Sequence, residues 1–138
     1  MATFNKFNQF VEDKNHGVHS LGTNQLVVAL TNTAPVATNT VLADITQIAY
    51  TNCSTRNITT TSSAQTAGVY KLTLADLTLT ASGGTVGPFR YVAIYNDTPT
   101  SPADPLIGWL DYGSSITLAD GESILIDFDA TNGAITDQ

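Results

Sequence analysis

The chain has 138 residues, a formal net charge of −7, and 12% charged residues against 42% hydrophobic ones. That is enough for one domain with its own core, and the hydrophobic share excludes a disordered polymer. Five Lys and Arg make no phosphate-neutralising patch, no apolar run approaches the roughly 20 residues that span a bilayer, and a single cysteine forms no internal disulfide, so neither nucleic acid nor membrane is an expected partner.

In chain order, residues 3–15 read as a helix of about three turns. Phe4, Phe7 and Val11 follow i, i+3, i+7 spacing, with Phe10 beside them; Thr3 can cap the start and Gly17 lies just past the end. Glu12 and Asp13 sit at the negative end of the helix dipole, so this helix depends on packing. Its three phenylalanines either cover the open end of the protein's own core or dock on another subunit. Residues 25–31 form a continuous apolar run of strand length, suited to burial on both faces. A Thr/Asn/Pro/Ala loop with Pro35 covers 32–40. The spacing of Leu42, Ile45 and Ile48 gives a short helix or irregular turn within 41–50.

Residues 51–68 are polar and β-branched without apolar periodicity, which predicts an exposed strand or a long loop. Strands follow at 69–74 and 76–81, joined at Ala75-Asp76, and Ser82-Gly83-Gly84 is a turn signal. In 89–95 Phe89, Tyr91, Ala93 and Tyr95 alternate with Arg90, Val92 and Ile94, the pattern of a central strand. The loop 96–105 is polar and carries Pro99 and Pro102. A strand at 106–112, a turn at 113–115 and a short strand at 116–118 lead to Asp120-Gly121, a hairpin signal, and 123–128 returns with Ile124, Ile126 and Phe128 on one face.

Short strands separated by turns, with no regular strand–helix alternation, predict an all-β fold. The expectation is a single domain over 1–138: a short N-terminal α-helix at 3–15 and an antiparallel, jelly-roll-like β-sandwich over 23–130.

Chemistry is sparse. His16 and His19 are the only histidines; Gly17 between them and the absence of a carboxylate at matching spacing favour ordinary exposed or capping side chains over a metal pair. Cys53 lacks a histidine at useful spacing, and no G-x-S-x-G motif accompanies the serines. Asp127 and Asp129 share a strand face that Asp111 could join, but no calcium-loop pattern is present. Tyr70, Trp109 and Tyr112 could bind a glycan, although core packing is the usual role of strand aromatics. Three glycosylation sequons, at Asn52, Asn57 and Asn96, arise easily in so Asn- and Thr-rich a chain and are discounted without a secretion signal. The glycines at 83–87 lack the lysine and helix of a phosphate loop. No catalytic, cofactor-binding or metal-binding residue is expected, and hence no cofactor.

The opening MATFNKFNQFVED and the following GVHSLGTNQLVVALTNTAPVATNTVLADI, with GPFRYVAIYND, PLIGWLDYGSSITLADGES and ILIDFD further on, resemble a family of short virion proteins of tailed bacteriophages and prophages. The resemblance covers nearly the whole chain except 51–68. It carries no catalytic motif. It implies a capsid decoration, or cement, protein, with a tail, tail-fibre or receptor-binding component as the alternative. The partner implied is the major capsid protein, contacted from the outer surface of the virion, with the protein made in the bacterial host cytoplasm and acting as a homodimer or homotrimer. Phe4, Phe7, Phe10 and Val11 on the helix, Pro35 in the first loop, and Pro99 and Pro102 in the second are the candidate partner-binding residues.

Overall fold

A computed structural model describes residues 3–137; it is mostly β, antiparallel and sandwich-like. Strands β1 (Thr3–Lys6), β2 (Leu26–Thr31), β3 (Asn57–Ile58), β7 (Val86–Asn96) and β8 (Leu106–Leu118) form one sheet in the order β1-β8-β7-β2-β3. Strands β4 (Thr60–Thr66), β5 (Val69–Leu74) and β10 (Ile135–Asp137) form a second, in the order β10-β5-β4. Strands β6 (Leu77–Thr80) and β9 (Ser123–Ile126) make a two-stranded third. Helix α1 (Asn8–Asn15) and a single 3-10 turn (Leu42–Asp44) complete the regular structure.

The five-stranded sheet is covered on both faces, as the unbroken apolar run of β2 requires. Leu26, Val28 and Leu30 face the main core, with Val92 and Ile94 of β7, Leu72 and Leu74 of β5, Leu79 of β6 and Ile126 of β9. Val27 and Ala29 face the other way, onto Phe7, Ile45, Ala93, Tyr95 and Leu106. The second cluster is roofed by the connection between β1 and α1 and by the segment around the 3-10 turn, not by another sheet.

Four expectations are corrected. Residues 3–6 are strand, not the first turn of a helix: Thr3 pairs with Asp111 and Phe4 with Leu110, because a ladder to β8 satisfies backbone groups that a short helix with a poor dipole would leave open. Phe7, with extended backbone (φ −75°, ψ 143°), is the residue before the helix. The alternation in β7 breaks: Phe89 joins Val92 and Ile94 in the main core while Ala93 and Tyr95 face away, since register shifts on either side of Phe89 reverse its facing. The turn signal at 113–115 does not end its strand; Asp111 pairs with Tyr91 and Ile116 with Phe89, so Gly113-Ser114-Ser115 bulge out of β8, with Gly113 at φ +84°. The Asp120-Gly121 turn forms, closed by Glu122 N–H to Ala119 C=O at 2.8 Å, yet β9 pairs with β6 instead of 116–118. That turn hands the chain from one sheet to another. Likewise β5 and β6, consecutive in the chain across Ala75-Asp76, part there into different sheets.

Candidate partner-binding face

Three segments meet at one end of the molecule. The Phe7 N–H donates to Ile107 C=O at 3.2 Å and the Asn8 N–H to Ala37 C=O at 2.9 Å, fixing the start of α1 to β8 and to the first loop. That loop is locked to the second: Leu42 N–H donates to Asp104 C=O at 2.9 Å, Leu106 N–H to Thr40 C=O at 3.0 Å, and Val41 bridges Pro105. The Asp44 carboxylate accepts from the Thr40 and Val41 N–H groups, and these bonds, Thr40 first, hold it below the usual carboxylate range. Asp104 lies above its ordinary value, through partial burial first and the nearby Asp97 second. Gln9, Asp13, Thr40, Val41 and Pro102 line a cavity of about 250 Å³ between helix and loops.

The candidate contact residues separate. Phe7 and Phe10 are wholly buried in the chain's own core; Phe7 packs on Trp109 with ring centroids 4.6 Å apart. Neither ring is available to a partner, because the sheet's second face and the helix underside need covering. Phe4 is half-buried against the main core, and Pro35 is buried. Pro99 and Pro102 are half-buried in the second loop, and Val11 is 41% exposed on α1. Val36, at 53%, is exposed where Pro35 was expected to be; nothing in the local sequence distinguishes the two. Of the apolar residues in these segments, Val11 and Val36 are exposed and Pro99 and Pro102 half-buried.

The titratable groups have structural partners. Asp111 forms a two-point ion pair with Arg90 (2.8 and 3.1 Å) and also accepts from the Gly113 N–H; both lower its pKa, the Arg90 bond most. Asp129 accepts from the Asn132 side chain and N–H, and Asp127 accepts the Asp129 N–H. Among the described residues no three His, Cys, Asp or Glu side chains gather to hold a metal. The Cys53 thiol is pushed up by burial, against the pull of Arg56. His16 is exposed beside Glu12.

His19 departs from expectation: it is buried at 8% exposure, beside Asp13 at 5%. Asn96, fully buried, explains it. Its Oδ1 accepts the Thr98 N–H, so its Nδ2 faces Asn24 Oδ1 at 2.8 Å and His19 Nδ1 at 3.0 Å. His19 Nδ1 is therefore an acceptor and its proton sits on Nε2. The atoms Asp13 Oδ2 and His19 Nε2 are both buried without a hydrogen bond among the described residues, an acceptor and a donor of complementary kind. Burial lowers the His19 pKa and Asp13 partly opposes it. The Phe10 ring packs tilted against the imidazole with centroids 5.1 Å apart, and with the His19–Asn96 bond this joins α1, the following loop and the end of β7.

An open groove of about 420 Å³ lies on the other side of His19, bordered by Lys14, Ser20, Ser63, Tyr70 and Asp137. Lys14 and Asp137 form an ion pair across it, and Ser63 and Tyr70 hydroxyls bond at 2.8 Å. Tyr70 and Tyr112 pack against the main core and Trp109 against the second cluster on the other face of the sheet, so the three do not form one glycan-binding row.

Compared with known proteins, the chain matches no family model, no curated sequence and no solved structure.

Proposed function

We propose that this chain is a non-enzymatic bacteriophage virion protein, a decoration or cement protein that binds the outer surface of the capsid and stabilises the head. The observation that carries the reading is the end face built from α1 and the loops 32–41 and 97–105. Its backbone-to-backbone bonds hold in one shape a Thr- and Pro-rich surface that also carries Glu12, Lys14, Asp97 and Asp104. A face already held in one shape by its own backbone bonds pays little ordering cost on binding. The net charge of −7 suits the outside of a particle, away from packaged DNA. The major capsid protein is the partner this face would meet, through Val11, Val36, Pro99 and Pro102.

The second reading, a tail or receptor-binding component that recognises surface glycans, draws on the open groove beside Tyr70. Its half-buried ring, two serines and the Lys14–Asp137 pair are groups that bind sugar hydroxyls and a sugar face. Particles lacking the protein separate the two. Heads that release DNA on heating or chelation support the decoration role; intact heads that fail to adsorb to cells support the second reading and overturn the first.

A further inference from the structure

The ribbon β4–β5 is anchored by Leu72 and Leu74 of β5 in the core and is exposed toward its turn. Residues 61–69 are all exposed, and Ala67 and Gly68, at φ +53° and +82°, form the two-residue turn that joins the strands. In the sheet order β10-β5-β4, β4 is an edge. Proteins blunt exposed edges with charges, prolines, bulges or a covering element. The sequence of β4, TTSSAQT, has no charge and no proline. The one irregularity of its pairing lies at its base, between Thr60 and Ser62.

The register defines what the edge offers. Thr66 and Val69 flank the two-residue turn and so form a hydrogen-bonded pair; pairs then alternate, making Ala64–Lys71 and Ser62–Thr73 bonded and Gln65–Tyr70 and Ser63–Leu72 open. Ser63 and Gln65 therefore turn their backbone N–H and C=O away from β5, and no hydrogen bond within the described residues takes them.

Charge selects the occupant. Two copies of a chain carrying −7 repel wherever carboxylates face each other, but none of the twelve Asp and Glu lies between Asp44 and Asp76. The ribbon is thus the place where a second copy can approach without opposed carboxylates. We propose that β4 pairs antiparallel with β4 of a second copy across a two-fold axis at Ala64, joining two three-stranded sheets into one of six. In that register Ser63 of each copy lies opposite Gln65 of the other, and both pairs exchange two backbone hydrogen bonds. Shifting the axis by one residue would bring in either the irregular Thr61 or the turn residue Ala67. Ala64 faces Ala64 at the close, non-bonded position, where Cα atoms approach to about 4.5 Å and a small side chain fits. The nearest like charges, the two Lys71 side chains, lie three strand spacings apart, about 14 Å, beyond the ~8 Å screening length of physiological salt. Lys71 Nζ is also bonded to Thr131 C=O at 3.1 Å. The pairing does not depend on what the protein binds.

Sedimentation equilibrium of the full chain tests it. The expected species has twice the chain mass of 14.6 kDa, and Ser63→Pro or Gln65→Pro, which remove an outward N–H and leave the β5 ladder intact, weaken association by at least about tenfold. A disulfide test remains decisive should a proline variant misfold. In a Cys53→Ser background, Ala64→Cys cross-links two chains under mild oxidation because its Cα atoms meet at disulfide distance, whereas Thr66→Cys does not. A monomer at all concentrations, association unchanged in folded proline variants, or equal cross-linking of both cysteine variants would overturn the proposal.

Discussion

At the scale of single residues, the His19–Asn96–Asn24 chain, with the buried Asp13 beside it, is the most consequential polar feature. His19 must be neutral to accept from Asn96, and burial agrees by holding its pKa below the ordinary 6.5. The unfolded chain therefore binds the proton more readily. The stabilisation is whole above the unfolded value and is lost as pH falls below 6.5 toward the lowered folded one. The melting temperature is expected to drop between about pH 7 and pH 5, before the carboxylates titrate, and to drop less in His19→Gln. An equal slope in both proteins would remove His19 as the cause. Asn96→Ala leaves buried partners unsatisfied and is expected to cost about 1–3 kcal/mol in urea unfolding. None of this network is legible in the sequence: His19 follows a turn, Asn96 closes a strand, and only the fold brings them to 3.0 Å.

At the scale of elements, the N-terminal segment shows how one apolar pattern fits two structures. Phe4, Phe7 and Phe10 have helical spacing, yet Phe4 belongs to β1, Phe7 to the junction and Phe10 to α1. Period alone cannot reveal that β8 has an open edge for 3–6 to pair with. Because Phe7 is wholly buried, Phe7→Ala is expected to destabilise by about 3–5 kcal/mol in chemical denaturation. Val11→Asp, on the exposed side of the helix, is expected to stay within about 0.5 kcal/mol of the parent while weakening capsid attachment. Full stability in Phe7→Ala would contradict the burial. The β1–β8 ladder has its own weak point at Gly108, where an added Cβ would lie 2.6 Å from Asn5 C=O and against the Phe4 ring. Gly108→Ala is expected to cost about 1–3 kcal/mol and to loosen residues 3–6 in hydrogen exchange. By contrast, the strand at 26–31 is plain in the sequence: six apolar or Thr residues without alternation leave no wet face, and all six are buried. The polar, β-branched stretch 51–68 reads as an exposed strand or a long loop, and the structure holds both: a loop to 56, then β3 and the exposed β4.

At the scale of the whole molecule, the proposed decoration role rests on the end face that backbone bonds between α1 and the two loops hold together. Alternating short strands make the all-β class readable, whereas the partition into three sheets is not: hairpin signals such as Asp120-Gly121 specify a turn, not which strand the returning chain meets. The candidate face is partly readable, since its loops are marked by Pro, Asn and Thr, but the exchange of Pro35 for Val36 follows from backbone direction alone. The decoration role is tested most directly by counting copies of this chain against the major capsid protein in purified particles, by quantitative mass spectrometry. The expected copy number equals that of the capsid protein or a simple fraction of it, as occupancy of lattice symmetry positions requires. A handful of copies per particle, or none, would contradict it.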